Sequence, residues 1–129
     1  MQLSNFLRTV LKLDSASCLG MAALVLPAAG ALQHPLGIDS ALLRAAASPL
    51  IPIGLYLLWL GTRREAATGL VWLVILGNIG WAGASLVAAA DLPGITSLGR
   101  LAVTGQGLAV LALAMLEWAG LRQRHAAIA

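Results

Sequence analysis

Six residues of this chain have chemistry to offer in surroundings that do not: Asp14, Cys18, Asn78, Trp81, Gln106 and Glu117 each stand within or beside long apolar runs. An amide without a partner in hydrocarbon costs several kcal/mol, so Asn78 and Gln106 must each find one. At a rise of about 1.5 Å per residue, Asn78 is expected about 18 Å from the outer end of a third helix and Gln106 about 12 Å from the outer end of a fourth. The two depths differ by roughly one turn, which predicts an Asn78 to Gln106 contact, direct or through water, acting as interhelical glue of about 1 kcal/mol. Trp81 follows Asn78 by one helical turn, and its indole N–H needs an acceptor: Asn78, Gln106 or a backbone carbonyl. Asn78, Trp81 and Gln106 together are the candidate intramembrane polar cluster, of a kind that could hold a lipid, a quinone or another hydrophobic small molecule.

Asp14 and Glu117 carry a different chemistry, because acids in membrane spans mark proton and cation pathways. Asp14 precedes the first charge-free stretch and Glu117 follows the last, with Arg8, Lys12, Arg122 and Arg124 nearby in sequence. This placement predicts interfacial ion pairs, Asp14 and Glu117 with Arg8 and Lys12, and neither acid at the bilayer midplane, where alternating-access transporters bind their solutes. His34, before Pro35, and His125 are isolated on opposite sides, so no metal-ligand spacing exists. Cys18 has no intrachain partner and is expected to be a small packing residue. With no nucleophile beside a base, no histidine in an expected span and no carboxylate dyad, neither an enzyme nor a cofactor is expected.

Four stretches without Asp, Glu, Lys or Arg must position these residues: 15–38, 45–62, 66–90 and 101–116. A membrane-crossing helix needs about 20 mostly apolar residues. Hydrophobic residues make up 60% of the chain and charged residues 10%, too few charges to coat a water-facing surface, and the stretches are apolar around nearly their whole circumference. The expected fold is all-α, an antiparallel bundle of four transmembrane helices over about 4–32, 41–60, 66–90 and 97–121, with all 129 residues in one integral membrane domain. Ser4 is placed to cap the first helix, the Gln33–Ser40 segment to end it, and Pro49 and Pro52 to bend the second. Gly77, Gly80, Ala84 and Ala88, facing Ala102, Gly105, Ala109 and Ala112, predict close packing of helices three and four.

Arg8, Lys12, Arg63, Arg64, Arg122 and Arg124 fall on one side of the expected spans, and only Arg44 and Arg100 on the other. Since positive residues favour the cytoplasm, both termini are expected there; Trp59, Trp72 and Trp118 fall at the same boundary, where indoles prefer to sit. The net charge of +3 is thus a topology signal, and no nucleic-acid partner is expected from basic residues so scattered. Arg8, Lys12, an apolar run and Ala29-Gly30-Ala31 also follow the order of a secretory signal. The run exceeds a usual signal core, and the segment is expected to remain as the first span.

Leu13-Asp14, Pro49 and Pro52, Asn78-Ile79-Gly80-Trp81, Gly105-Gln106 and Glu117-Trp118-Ala119-Gly120-Leu121-Arg122 together resemble a family of small, uncharacterised bacterial four-helix inner-membrane proteins, a likeness that covers most of the chain. The resemblance implies a multi-pass protein of the bacterial inner membrane and no assigned activity. Small multidrug resistance transporters share the length and an acid in helix one, but their acid works with a deep aromatic cluster that has no counterpart here. The expected role is a non-enzymatic accessory or assembly subunit, packing in the lipid against itself or a larger membrane complex. The alternative is a small transporter, channel or lipid- or quinone-binding protein that uses Asn78, Trp81 and Gln106.

Overall fold

The computed structural model describes residues 1–128, with side chains described for 1–123. It is all-helical: α1 Asn5–Leu36, α2 Ser40–Ala47, α3 Leu50–Thr62, α4 Thr68–Asp91 and α5 Ser97–Ile128. Taking α2 and α3 as one span, four helices are long and apolar enough to cross a membrane. These are compatible with a polytopic membrane protein, as the charge-free stretches predict.

Ser4 caps α1 as expected, its hydroxyl accepting from the Leu7 N–H at 3.1 Å. The residues before it lie along the α3–α4 turn, Leu3 N–H donating to Arg64 O at 2.8 Å and Ala66 N–H to Met1 O at 2.9 Å. That pairing engages Ala66 outside the helix, and α4 starts at Thr68 rather than 66. At its far end α1 runs past the expected stop at 32, through Pro27 and Pro35 to Leu36. A proline one turn from a helix end removes only one bond, whereas Gly37, at φ 66°, takes the left-handed conformation that terminates the helix. The carbonyls left free there are used by the next span but two: Thr96 donates through its hydroxyl to Pro35 O at 2.7 Å and through its N–H to Leu36 O at 3.1 Å. His34 therefore lies within the last turn of α1, where a span free of histidine was expected.

The second span is interrupted where its prolines were expected to disturb it, although Ser48 and Pro49 keep right-handed helical dihedrals. Pro49 and Pro52 lack N–H groups, and the chain leaves the helix at Ser48 and re-enters it at Leu50.

α1 packs against α3 and α5, and α4 against α5. Ser15 donates to Gly54 O at 2.7 Å across the α1–α3 contact. Gly120 of α5 lies against Phe6 and Leu7, which places the start of α1 and the later part of α5 at one end. The apolar core gathers at that end, with Leu7, Leu11, Leu57, Leu60, Val71, Ile75 and Leu121 buried together. Trp59, Trp72 and Trp118 are exposed on the same half, with Arg63 stacked over Trp59 at 5.3 Å and Arg122 over Trp118 at 4.7 Å. Large apolar side chains such as Leu24, Leu73, Leu76, Val87, Leu101 and Met115 face outward, a surface suited to lipid.

The α4–α5 contact does not use the predicted glycines. Gly77, Gly80 and Gly105 face open space, and the close approach is instead Gly107 against Ser85 and the Ala82 carbonyl. The buried face of α4 is Asn78, Ala82, Ser85 and Ala89, one to two positions away from the expected stripe. A polar residue that must be buried sets the rotation of this helix.

Candidate functional site

The two acids and the amide meet. Asn78 is 9% exposed, Asp14 1% and Glu117 0%. The amide nitrogen Nδ2 of Asn78 donates to Asp14 Oδ2 at 2.6 Å and to Glu117 Oε1 at 2.8 Å, so one side chain of α4 bridges α1 and α5. Cys18, one turn along α1, donates its thiol to Asp14 Oδ1 at 3.8 Å. The remaining carboxyl oxygen, Glu117 Oε2, is buried and has no hydrogen-bond partner among the described residues.

The expected interfacial ion pairs are therefore not what holds the acids. Arg8 and Lys12 take no part in these hydrogen bonds: Arg8 borders a hollow at the α3–α4 turn with Arg63, Arg64 and Glu65, its Nε without a partner among the described residues, and Lys12 is exposed with its stem against Gly61. Asn78 is ten residues from the start of α4 and thirteen from its end, or about 15 Å and about 20 Å at the helical rise, and Asp14 and Glu117 meet it there from α1 and α5.

Gln106 has a different partner from the one predicted. The Trp81 indole donates to Gln106 Oε1 at 3.0 Å, and the Gln106 amide donates to Ser85 Oγ at 2.7 Å and to Val103 O at 3.0 Å. Ser85 in turn donates to Trp81 O at 2.8 Å. This second group pins the indole plane, and no bond links Gln106 to Asn78 among the described residues. The candidate cluster thus divides in two, with Trp81 and Gln106 on one side and Asn78 joined to Asp14 and Glu117 on the other. Cys18, expected as a packing residue, is also a donor to Asp14, and Ser85 is an unexpected member of the second group whose one signal in the sequence is its spacing four residues after Trp81, which shares a helix face.

Trp81 stands between two openings. One, about 390 Å³, runs between α3 and α4 and is lined by Cys18, Tyr56, Leu57, Gly77, Asn78 and Trp81 among others. The other, about 330 Å³, lies beyond Trp81 toward α2 and is bordered by Leu43, Ala47, Ala84, Val103 and Gln106. Leu50 and Trp81 border both openings, which are largely apolar; the polar points are Asn78, Cys18 and Tyr56 in the first and Ser85 and Gln106 in the second. The α3–α4 opening exists because both helices pack on others, α3 on α1 and α4 on α5.

Chemically, the buried group is short of positive charge. Two like charges about 4 Å apart repel by about 4 kcal/mol at an effective dielectric of about 20, and desolvation adds to that penalty. An amide bridge supplies donors but no charge. Such an arrangement can hold a proton or a cation, and it has no nucleophile placed for covalent chemistry. Among the described residues no group of three or more His, Cys, Asp or Glu side chains could hold a metal ion.

No protein-family model, no curated protein and no solved structure matches this chain.

Proposed function

We propose that this is a multi-pass protein of the bacterial inner membrane that takes a hydrophobic or amphiphilic small molecule from the lipid into the cleft between α3 and α4, as a carrier or binding protein and not as an enzyme. One observation carries the reading: a cleft of about 390 Å³ opens along two membrane-spanning helices and has in its wall Asn78, the residue that bridges two buried acids. Ligand sites of this size are typically apolar with a few polar groups that fix orientation, and polar residues deep in a span are functional by default. Binding of the neutral probe N-phenyl-1-naphthylamine, followed through Trp81 fluorescence in lipid nanodiscs, tests it. Gly77 lines the cleft and faces open space, so Gly77→Leu adds bulk without a clash in the fold. The substitution is expected to weaken the probe at least about tenfold, a loss of about 1.4 kcal/mol. Equal binding by both proteins would defeat the proposal.

A second reading, the accessory or assembly subunit, is favoured by a specific feature. Gly69, Gly80 and Gly83 face open space on the outer side of α4, small residues between the exposed Leu73, Leu76 and Val87 that would let a second helix approach. A homo-oligomer or a larger membrane complex would cover this side, with lipids as the default neighbours. Gly80→Leu together with Gly83→Leu is expected to dissociate such an assembly in crosslinking from native membranes.

A further inference from the structure

We propose that Asp14 and Glu117, bridged by Asn78, form a site for one positive charge: it holds a proton at rest and gives that proton up when a lipophilic monocation enters the α3–α4 cleft. The inference rests on the cleft being a ligand site and names the class of ligand. It begins from a count of donors. Both amide hydrogens of Asn78 are used, one on each acid, and the Cys18 thiol is directed at Asp14. That accounts for three of the four carboxyl oxygens, and Glu117 Oε2, in a residue that is 0% exposed, has no donor among the described residues. One bound proton supplies the missing donor and removes one of two negative charges in the same step. With one proton bound, the pair retains a single negative charge that the amide stabilises but does not neutralise.

The groups facing this pair leave the deficit in place. From α1 come Cys18, which donates to Asp14, and Lys12 and Arg8, which lie toward the terminal end with Lys12 exposed. From α3 comes Tyr56, whose hydroxyl is turned away to donate to Leu70 O at 3.1 Å. α4 contributes Asn78 and no ionisable group, and α5 contributes Glu117 itself, with Arg122 one turn on and stacked over Trp118. The pair therefore meets the cleft through Asn78 and Cys18, which both line it, and through apolar walls that screen charge poorly. A bulky cation with an apolar exterior satisfies the walls and the charge together. An inorganic ion would have to give up its water without enough oxygen ligands in return.

The exchange balances as one proton out for one cation in. Tetraphenylphosphonium is the probe, added to the full chain in weakly buffered detergent solution with a pH indicator. The expected result is release of about one proton per probe bound, with an apparent Kd that falls about tenfold for each unit of rising pH while the site still holds its proton. Glu117→Gln, which keeps an acceptor for Asn78, is expected to abolish proton release and weaken the cation at least about tenfold while leaving neutral N-phenyl-1-naphthylamine unaffected. Binding of the cation without proton release, or binding of the neutral probe alone, overturns this proposal and leaves the cleft reading standing. Failure of both probes removes the cleft as a ligand site. The wild-type proton count needs no variant, so a misfolded Glu117→Gln protein leaves the outcome decided.

Discussion

Asn78 is the residue on which most depends, since it alone ties α4 to acids on two other helices. Asn78→Leu leaves two buried carboxyl groups without their common donor, and a cost of about 1–3 kcal/mol in unfolding from detergent is expected. Gln106→Leu orphans only the Trp81 indole and is expected to cost about 1 kcal/mol. Because the two amides belong to separate hydrogen-bonded groups, the double variant should show the sum of the single effects within about 0.5 kcal/mol. Asn78→Leu combined with Glu117→Gln should depart from additivity by more than that. The opposite pattern would restore the Asn78–Gln106 contact that depth arithmetic predicts. That arithmetic identifies the polar residues that matter but pairs them wrongly, for a physical reason. A charge-free window marks where lipid must surround the chain, not where a helix enters it. α1 begins at Asn5, so Asp14 is already nine residues in, about 14 Å along the helix, while Lys12 and Arg8 can extend long stems toward the surface.

The elements themselves were legible from residue type: four apolar runs, Ser4 as a cap, and a disruption at Pro49 and Pro52. Less legible was which face each helix presents. With Gly and Ala so abundant, small-residue spacing fits several rotations of α4, and the burial of Asn78 and Ser85 selects one that turns Gly80 outward. Glycines that look alike in sequence should then respond oppositely to a methyl group. A Cβ at Gly99 would run into the Leu36 carbonyl at the close contact of α1 and α5, and backbone there cannot yield cheaply. Gly99→Ala is expected to lower the melting temperature in detergent and to cost about 1–3 kcal/mol. Gly80→Ala meets nothing and gains helix propensity, so it should be neutral or stabilising by up to about 1 kcal/mol. If both variants melt alike, the packing of the far end of α1 on α5 is not as described.

At the scale of the whole molecule, an even number of spans puts the start of α1 and the later part of α5 at one end, where Gly120 meets Leu7. That end also carries Arg8, Lys12, Arg63, Arg64 and Arg122 among the residues with described side chains, against Arg44 and Arg100 at the other. Basic residues close to a span resist translocation, whereas acids contribute little, so the asymmetry predicts a bundle with this end in the cytoplasm. The stacking of Arg63 on Trp59 and Arg122 on Trp118 gives this boundary amphipathic anchors as well as charge. Two exposed turn positions can report the orientation in a Cys18→Ala background: Glu65 at the terminal end and Pro93 at the other. In intact cells a membrane-impermeant maleimide is expected to label Pro93→Cys at once and Glu65→Cys only after lysis. The reverse pattern would mean the bundle sits upside down. Moving charge should then move the protein: Arg63→Ser with Arg64→Ser, combined with Pro93→Arg and Gly94→Arg, gives three of the arginines and lysines counted above to the terminal end and four to the far end, and a measurable fraction should become labelled at Glu65→Cys without lysis. No such fraction would show that some feature other than the distribution of arginine and lysine sets the topology.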